Sequence, residues 1–176
     1  MPIENNSNVL KGIEKLAYSS FILIYILSYS VLSIWLLFDG WINKFSSIHW
    51  LWGIESSDGF SNGVLLTIFS LLGAILGGAI LSITSFHKYI AIEKKFDRDH
   101  LWGFIFIPIL SVIVGIIVFT LVQSGLLVLS GSFADGEQSI TTTMGFTAIG
   151  CISGYNWDVI AAKLQELSKN IFKKDE

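Results

Sequence analysis

HKYIAIEKKFDRDHLW, from His87 to Trp102, is the charged stretch that separates two long apolar segments of this 176-residue chain. So many charges are too costly to bury in hydrocarbon, so the stretch is expected in water between two membrane spans. The chain is 52% hydrophobic and only 14% charged, with a mean hydropathy of +0.65, whereas soluble domains are about a quarter charged. Composition therefore predicts an all-α polytopic membrane protein: a bundle of four transmembrane helices followed by an amphipathic C-terminal cytoplasmic helix.

Four apolar runs give the predicted spans, at about 17–38, 64–86, 103–129 and 140–153, inside a membrane domain of residues 1–155. The first run is longer than the apolar core of a signal peptide. The fourth is shorter than the roughly 20 residues that cross a bilayer, so it is either a short span or a re-entrant segment. Residues 1–16 are predicted to be a flexible start with a short interfacial helix, and 39–63 and 131–139 to be loops.

The distribution of cations predicts the orientation of these spans. The segments before span one, between spans two and three, and after span four hold two, four and four of the 11 Lys and Arg residues. The two remaining loops hold Lys44 alone, together with the acids Asp39, Glu55, Asp58, Asp135 and Glu137. Because cytoplasmic loops carry the excess of Lys and Arg, the pattern predicts an inner-membrane protein that crosses four times, with both termini in the cytoplasm.

Small residues at four-residue spacing predict close helix packing, which such spacing permits in lipid. They are Gly73, Gly77, Gly78, Ser111, Gly115, Gly150 and Gly154. The pattern favours packing inside one four-helix subunit, and the alternative is packing between the subunits of a homo-oligomer.

Polar residues near the ends of spans three and four are the candidates for lining a pore. They are Gln123, Thr141, Thr142 and Thr143. Hydroxyl groups can line a channel constriction, although threonines in helices also bond to their own backbone, and Gln123 can bond across the bundle. No charged residue lies in the middle of a predicted span, which argues against a proton relay, a voltage sensor or a charge-coupled transporter.

Residues that carry enzyme or metal chemistry are scarce. His49, His87 and His100 lack the short ligand spacings of zinc sites, and the single cysteine, Cys151, excludes an internal disulfide. No phosphate-binding glycine loop or nucleophile motif occurs. The sequence predicts a protein that is not an enzyme, holds no cofactor or metal, and does not bind nucleic acid directly.

The tail, residues 156–176, is predicted to be a helix with one apolar stripe and with Asn156 as its N-cap. The stripe consists of Trp157, Ile160, Leu164, Leu167 and Ile171. Such a helix either lies flat on the inner leaflet among lipid headgroups or forms a helix–helix seam with another chain. In the second case, the cations Lys94, Lys95 and Arg98 of the charged stretch contribute to the same partner-binding face.

The run GFTAIGCISGYNWDVIAAKLQEL, Gly145 to Leu167, resembles the last span of small prokaryotic four-span membrane proteins found in antiphage gene clusters. IPILSVIVGIIVF, Ile107 to Phe119, is similar to their third span. The matching residues cover about a third of the chain, and the chain resembles in particular the membrane subunit of the Kiwa antiphage system. The resemblance implies a tetramer that holds a cytoplasmic DNA-binding protein at the inner membrane.

Two functions follow from these patterns. The first is a homo-oligomeric inner-membrane sensor or scaffold that docks a cytoplasmic partner protein. The alternative is an oligomeric ion channel or membrane-permeabilising effector with Gln123 and the Thr141–Thr143 trio around its pore.

Overall fold

The computed structural model is all-helical in the parts of the chain that it describes. These are residues 2–53, 59–93, 100–125 and 140–171, with side chains from residue 14 onward except those of 167, 170 and 171. The helices are α1 (Pro2–Asn43), α2 (Asn62–His87), α3 (His100–Gln123), α4 (Ile140–Tyr155) and α5 (Trp157–Ile171), with a 3₁₀ segment at Ser46–Trp52 and a π-helical segment at Lys88–Ile92. The described ranges contain no strand, so the predicted all-α class is confirmed for them.

Three segments are long and apolar enough to cross a membrane: Glu14–Asn43, Asn62–Ile92 and His100–Gln123, with 30, 31 and 24 residues. Each exceeds the roughly 20 residues that a crossing needs. α4 has 16 residues, which correspond to about 24 Å at 1.5 Å per residue, less than the roughly 30 Å of hydrocarbon. The predicted multi-helix membrane character is thus confirmed for three helices, and the fourth crossing stays a prediction.

The first helix is longer than predicted at both ends. It runs unbroken from Pro2 to Asn43, so the expected flexible start and the first five residues of the expected 39–63 loop are helical. The loop prediction is wrong for residues 39–43. The Asn43 amide donates a hydrogen bond to the Asp39 carboxylate one turn earlier, at 2.9 Å, and such i,i+4 pairs stabilise a helix.

The chain leaves α1 through two residues in the left-handed backbone region. Lys44 and Phe45 have φ angles of 52° and 61°, a conformation that costs an L-residue about 1–2 kcal/mol. The Phe45 side chain is fully buried, and its ring centroid lies 5.0 Å from that of Phe69. Burying a Phe side chain contributes about 1.5–3 kcal/mol, which offsets much of the backbone cost. Gly40 lies directly beneath the ring, where any Cβ would overlap it.

α2 is the central helix of the bundle. Half of its apolar window is buried, against 28% for α1 and 22% for α3. At the end that contains Trp41 (the Trp41 end), one buried cluster joins Leu37, Phe45, Leu65, Phe69 and Leu72. At the end where α2 stops and α3 begins (the His100 end), a second joins Ile22, Ile26 and Phe104, with Phe86 and Tyr89 against it. Apolar contacts at both ends therefore hold the bundle around α2.

The contacts of small residues give the directions of the helices around α2. The neighbouring pairs are Gly73 with Thr147 and Gly77 with Cys151 for α4, and Ala74 with Gly115 and Gly78 with Ser111 for α3. As the residue numbers of α2 increase, those of its neighbours on α4 also increase, whereas those of its neighbours on α3 decrease. α4 therefore runs parallel to α2, and α3 runs antiparallel to it.

Candidate functional site

The tail helix α5 continues from α4 at the His100 end with Asn156 alone between them. The Asn156 backbone N–H and side-chain amide both donate to the Ile152 carbonyl, at 3.1 and 2.9 Å. The Asn156 carbonyl accepts from the Ile160 N–H at 3.0 Å. The backbone of Asn156 thus occupies the N-cap position of α5, but its side chain donates its hydrogen bond to α4 rather than capping α5. The backbone hydrogen-bond pattern of α4 therefore continues into α5 almost without interruption.

The apolar stripe of α5 is turned toward the bundle wherever its side chains are described. Trp157, Ile160 and Leu164 are partly buried, whereas the residues between them are exposed. α5 contacts both α3 and α4. The side chains of Leu167 and Ile171 lie outside the described residues. The stripe is therefore partly covered by its own subunit at its N-terminal half.

The predicted cations of the partner-binding face, Lys94, Lys95 and Arg98, lie in 94–99, outside the described residues. Just before them, Lys88 forms an ion pair with Glu93 at 3.5 Å. Both side chains are solvent-accessible, so this end of α2 is open to water. The ion pair therefore contributes little to stability.

A cleft of about 420 Å³ lies at the His100 end, between the end of α2, the start of α3 and the start of α5. Its lining residues are Leu81, Ser85, Tyr89, His100, Gly103, Phe104, Ile107 and Trp157. The rings of Tyr89 and His100 pack with centroids 4.5 Å apart. The cleft is therefore lined both by the first residue of the tail stripe and by residues near the two ends of the charged stretch, the two segments predicted to form one partner-binding face.

The indole nitrogen of Trp157 is a buried polar atom that the sequence did not predict. Nε1 is buried and has no hydrogen-bond acceptor among the described residues. An indole N–H can only donate, and a buried donor without an acceptor costs about 1–3 kcal/mol. The pattern showed Trp157 as the start of an apolar stripe, and periodicity carries no information about its N–H.

The small residues predicted for helix packing all face neighbouring helices of the same chain. A Cβ at any of the four glycines of the α2–α4 contact (Gly73, Gly77, Gly150 and Gly154) would overlap backbone atoms of the other helix. Two helices approach this closely in a membrane only where side chains are minimal. On α3, the buried Ser111 hydroxyl donates to the Gly154 carbonyl at 3.2 Å. Packing between subunits stays a prediction.

The candidate pore residues lie in different surroundings. Thr143 is buried; its hydroxyl accepts from Trp41 Nε1 at 3.1 Å and donates to the Ile140 carbonyl at 2.8 Å. Thr141 and Gln123 are exposed, and Thr142 is partly buried. Successive helical residues are rotated by about 100°, so within one chain the three threonines face different directions. Thr143 joins α1 to α4 through the Trp41 hydrogen bond, and the lining of a pore by these residues stays a prediction.

A buried carboxylate at the Trp41 end was not predicted. Asp39 is 6% exposed, and its Oδ1 accepts from Asn43 Nδ2 at 2.9 Å and from Ser47 Oγ at 2.8 Å. Oδ2 is buried without a donor among the described residues. Because Ser47 lies in the 3₁₀ segment, this carboxylate ties that segment to α1. The four-residue spacing to Asn43 is a sequence signal for the first bond, but the second depends on the chain reversal at Phe45.

Replacing Asp39 with alanine is expected to lower the free energy of unfolding by about 2 kcal/mol, because it leaves two donors without their acceptor. Asp39→Asn keeps an acceptor oxygen for both donors and removes the charge, so its stability is expected to stay close to that of the natural chain. Thermal unfolding of the purified proteins in one detergent checks this. Equal losses in the two variants would show that the charge, and not the acceptor, matters.

Taken together, the described residues form an all-helical protein with three membrane-length helices and a mixed apolar and polar cleft at one end. No group of three His, Cys, Asp or Glu side chains within them is placed to hold a metal ion. Comparison with protein-family models, with curated proteins and with solved structures finds no match.

Proposed function

We propose that this protein is a homo-oligomeric sensor or scaffold of the cell inner membrane that docks a soluble cytoplasmic protein at its His100 end. The observation that carries the proposal is that Trp157 lines the same cleft as Tyr89 and His100. The tail stripe and the charged stretch are the two segments expected to bind a partner, and they adjoin at one end of the bundle.

Both termini lie in the cytoplasm in this proposal. The cation distribution supports it, since ten of the 11 Lys and Arg residues belong to segments on the His100 side of the predicted spans. The course of α4 supports a fourth crossing, because it runs parallel to α2 and continues into α5.

Assembly of several copies would use large apolar side chains. The small faces of α2 and α4 are already in contact within one chain, whereas α1 and α3 expose extended apolar surfaces, including Ile24, Val31, Trp35, Ile109 and Ile113. Lipid covers such surfaces as well as another protein does, so a homo-oligomer would depend on how well these side chains interdigitate. The resemblance to defence-cluster subunits implies four copies.

A protein is the partner that the tail helix suits. Its outward face in the described part combines the exposed Val159 with an ion pair between Lys163 and Glu166 at 2.7 Å. Nucleic-acid sites instead show a one-signed basic surface. The resemblance of Gly145–Leu167 to antiphage proteins supports a role in defence, in which the docked protein acts on the invader and this chain positions it at the membrane.

Affinity purification of the tagged chain from its own host in a gentle detergent tests the proposal. We expect a soluble cytoplasmic protein at fixed stoichiometry with a homo-oligomer, identified by mass spectrometry and by the mass of the complex. A homo-oligomer without any soluble protein would contradict the scaffold function and would favour the channel alternative. Gln123 and Thr142 are the residues to change in that case.

A further inference from the structure

We propose that the last turn of the 3₁₀ segment inserts into the lipid headgroup layer of the leaflet at the Trp41 end and anchors the connection between α1 and α2 there. This turn, called the tip below, consists of Trp50, Leu51 and Trp52. The inference rests on the membrane insertion in the proposed function, but on neither the partner protein nor the oligomer. It assigns an interaction surface at the end of the bundle opposite to the cleft.

The tip exposes three large apolar side chains in succession. Trp50, Leu51 and Trp52 are 78, 63 and 67% exposed, and the sequence from Ser46 to Gly53 contains no Asp, Glu, Lys or Arg. A contiguous exposed apolar surface marks a site for a protein, a ligand or a membrane. Whatever covers the tip must therefore accept apolar side chains and needs no charge complementary to it.

The base of the 3₁₀ segment is fixed to the bundle. Phe45, directly before the segment, is fully buried, and its ring centroid lies 5.0 Å from that of Phe69. Ser47 donates to the Asp39 carboxylate at 2.8 Å, and Ile48 packs against the same apolar cluster as Phe69. The base is thus joined to both α1 and α2, so the tip has a defined position relative to the spans.

These contacts place the base at the depth where the spans end. Phe69 lies seven residues, or about 10 Å of helix, after Asn62, where α2 begins. It belongs to the apolar segment Asn62–Ile92, so a segment packed on it lies beside the last turns of the membrane helices. The tip then lies close to the headgroup layer, where the exposed tryptophans of membrane proteins concentrate.

The geometry of the tip favours a lipid layer over a protein partner. Successive residues of a 3₁₀ helix are rotated by about 120°, so the three exposed side chains point in three directions around the segment. Ile48 and Leu51 share a face one turn apart, but Ile48 packs on the bundle whereas Leu51 is exposed. A helix that docks in a protein groove presents one apolar face, whereas lipids surround an inserted tip on all sides.

Spin labelling of single cysteines tests the proposal in the full chain, reconstituted in vesicles of phosphatidylethanolamine and phosphatidylglycerol. Trp50→Cys, Leu51→Cys and Trp52→Cys are labelled one at a time in a Cys151→Ala background, so two tip residues remain each time. Collisions with oxygen, which dissolves in lipid, are compared with collisions with a water-soluble nickel chelate present on both sides of the membrane. Gln165→Cys, at an exposed polar position of α5, is the reference for water.

We expect the ratio of oxygen to nickel collisions at all three tip positions to be about fivefold higher than at Gln165→Cys, as for a segment inserted at the headgroup boundary. Combining Trp50→Ser and Trp52→Ser is expected to return the label at Leu51→Cys to the ratio of the reference. Trp102→Ser, which removes an exposed tryptophan at the other end of the bundle, is the matched control and should leave that ratio high.

A tip ratio equal to that of the reference would overturn the proposal. Few collisions with either reagent would also overturn it, because they would place the tip against a protein, including a second copy of this chain. An unchanged ratio after both serine substitutions would contradict the anchoring role. Ile80→Cys, at an exposed position of α2, reports insertion itself, so a ratio like that of water there would contradict the proposed function instead. Thermal unfolding in detergent shows that the serine variant is folded.

Discussion

Replacing Gly150 with leucine is expected to separate α4 from α2 and to give the largest loss of stability of any single substitution considered for this chain. A Cβ on Gly150 would overlap the Ser70 carbonyl and lie 3.1 Å from the Ala74 nitrogen. These are backbone atoms of the central helix, so they cannot rotate away as a side chain can. Overpacking a rigid contact costs about 1–3 kcal/mol and sometimes more, and leucine adds three further carbons to the clash.

We therefore expect Gly150→Leu to lower the melting temperature of the purified protein by about 10 °C, or to prevent its accumulation. Gly150→Ala is expected to show a smaller loss in the same direction. Because α4 carries α5, the separation also removes Trp157 from the cleft. Changes in tryptophan fluorescence should therefore accompany the loss of stability.

Ala148→Leu is the matched control for this prediction. Ala148 is exposed and lies two residues earlier on the same helix, so the same added bulk faces outward there. We expect its melting temperature to stay within a few degrees of that of the natural chain. Unchanged stability of Gly150→Leu would mean that α4 does not pack on α2 through its glycines.

Introducing a charge into the tail stripe, by Leu164→Asp, is expected to release the soluble partner while the membrane oligomer stays intact. Leu164 is partly buried and belongs to the stripe that the proposed docking face contains. A carboxylate there would have to lose water without a partner when the seam closes. Substitutions at the centre of an interface commonly cost 2 kcal/mol or more, so we expect partner affinity to fall by a factor of about 30 or more.

Gln165→Asp places the same charge on the neighbouring, exposed position and should leave the partner bound. Affinity purification from the host, followed by the mass of the membrane complex, measures both effects in one experiment. A partner that stays at full stoichiometry with Leu164→Asp would exclude the stripe as the docking site. Loss of the oligomer together with the partner would show that the stripe holds copies of this chain to one another.

The helical class and the three long spans could be read from the sequence, because the free energy of moving a segment from water into hydrocarbon depends on that segment alone. The small-residue spacing likewise indicated where backbones could meet. The end of α1 could not be placed in the same way. Asp39 and Gly40 were predicted to begin a loop. The helix continues through them, with Asn43 and Ser47 donating to one oxygen of the Asp39 carboxylate and Phe45 packed over Gly40.

Some features of the candidate site could likewise be predicted from the sequence, and others could not. The stripe Trp157, Ile160, Leu164 is a periodic pattern of one helix, so the sequence alone determined it, together with the segregation of cations and the apolar spans. The tertiary structure alone decided which helix each glycine meets, and that Trp157 lies in one cleft with Tyr89 and His100. The physical reason is that hydropathy and periodicity are properties of a single segment, whereas contacts between segments distant in the chain depend on how whole helix surfaces fit together.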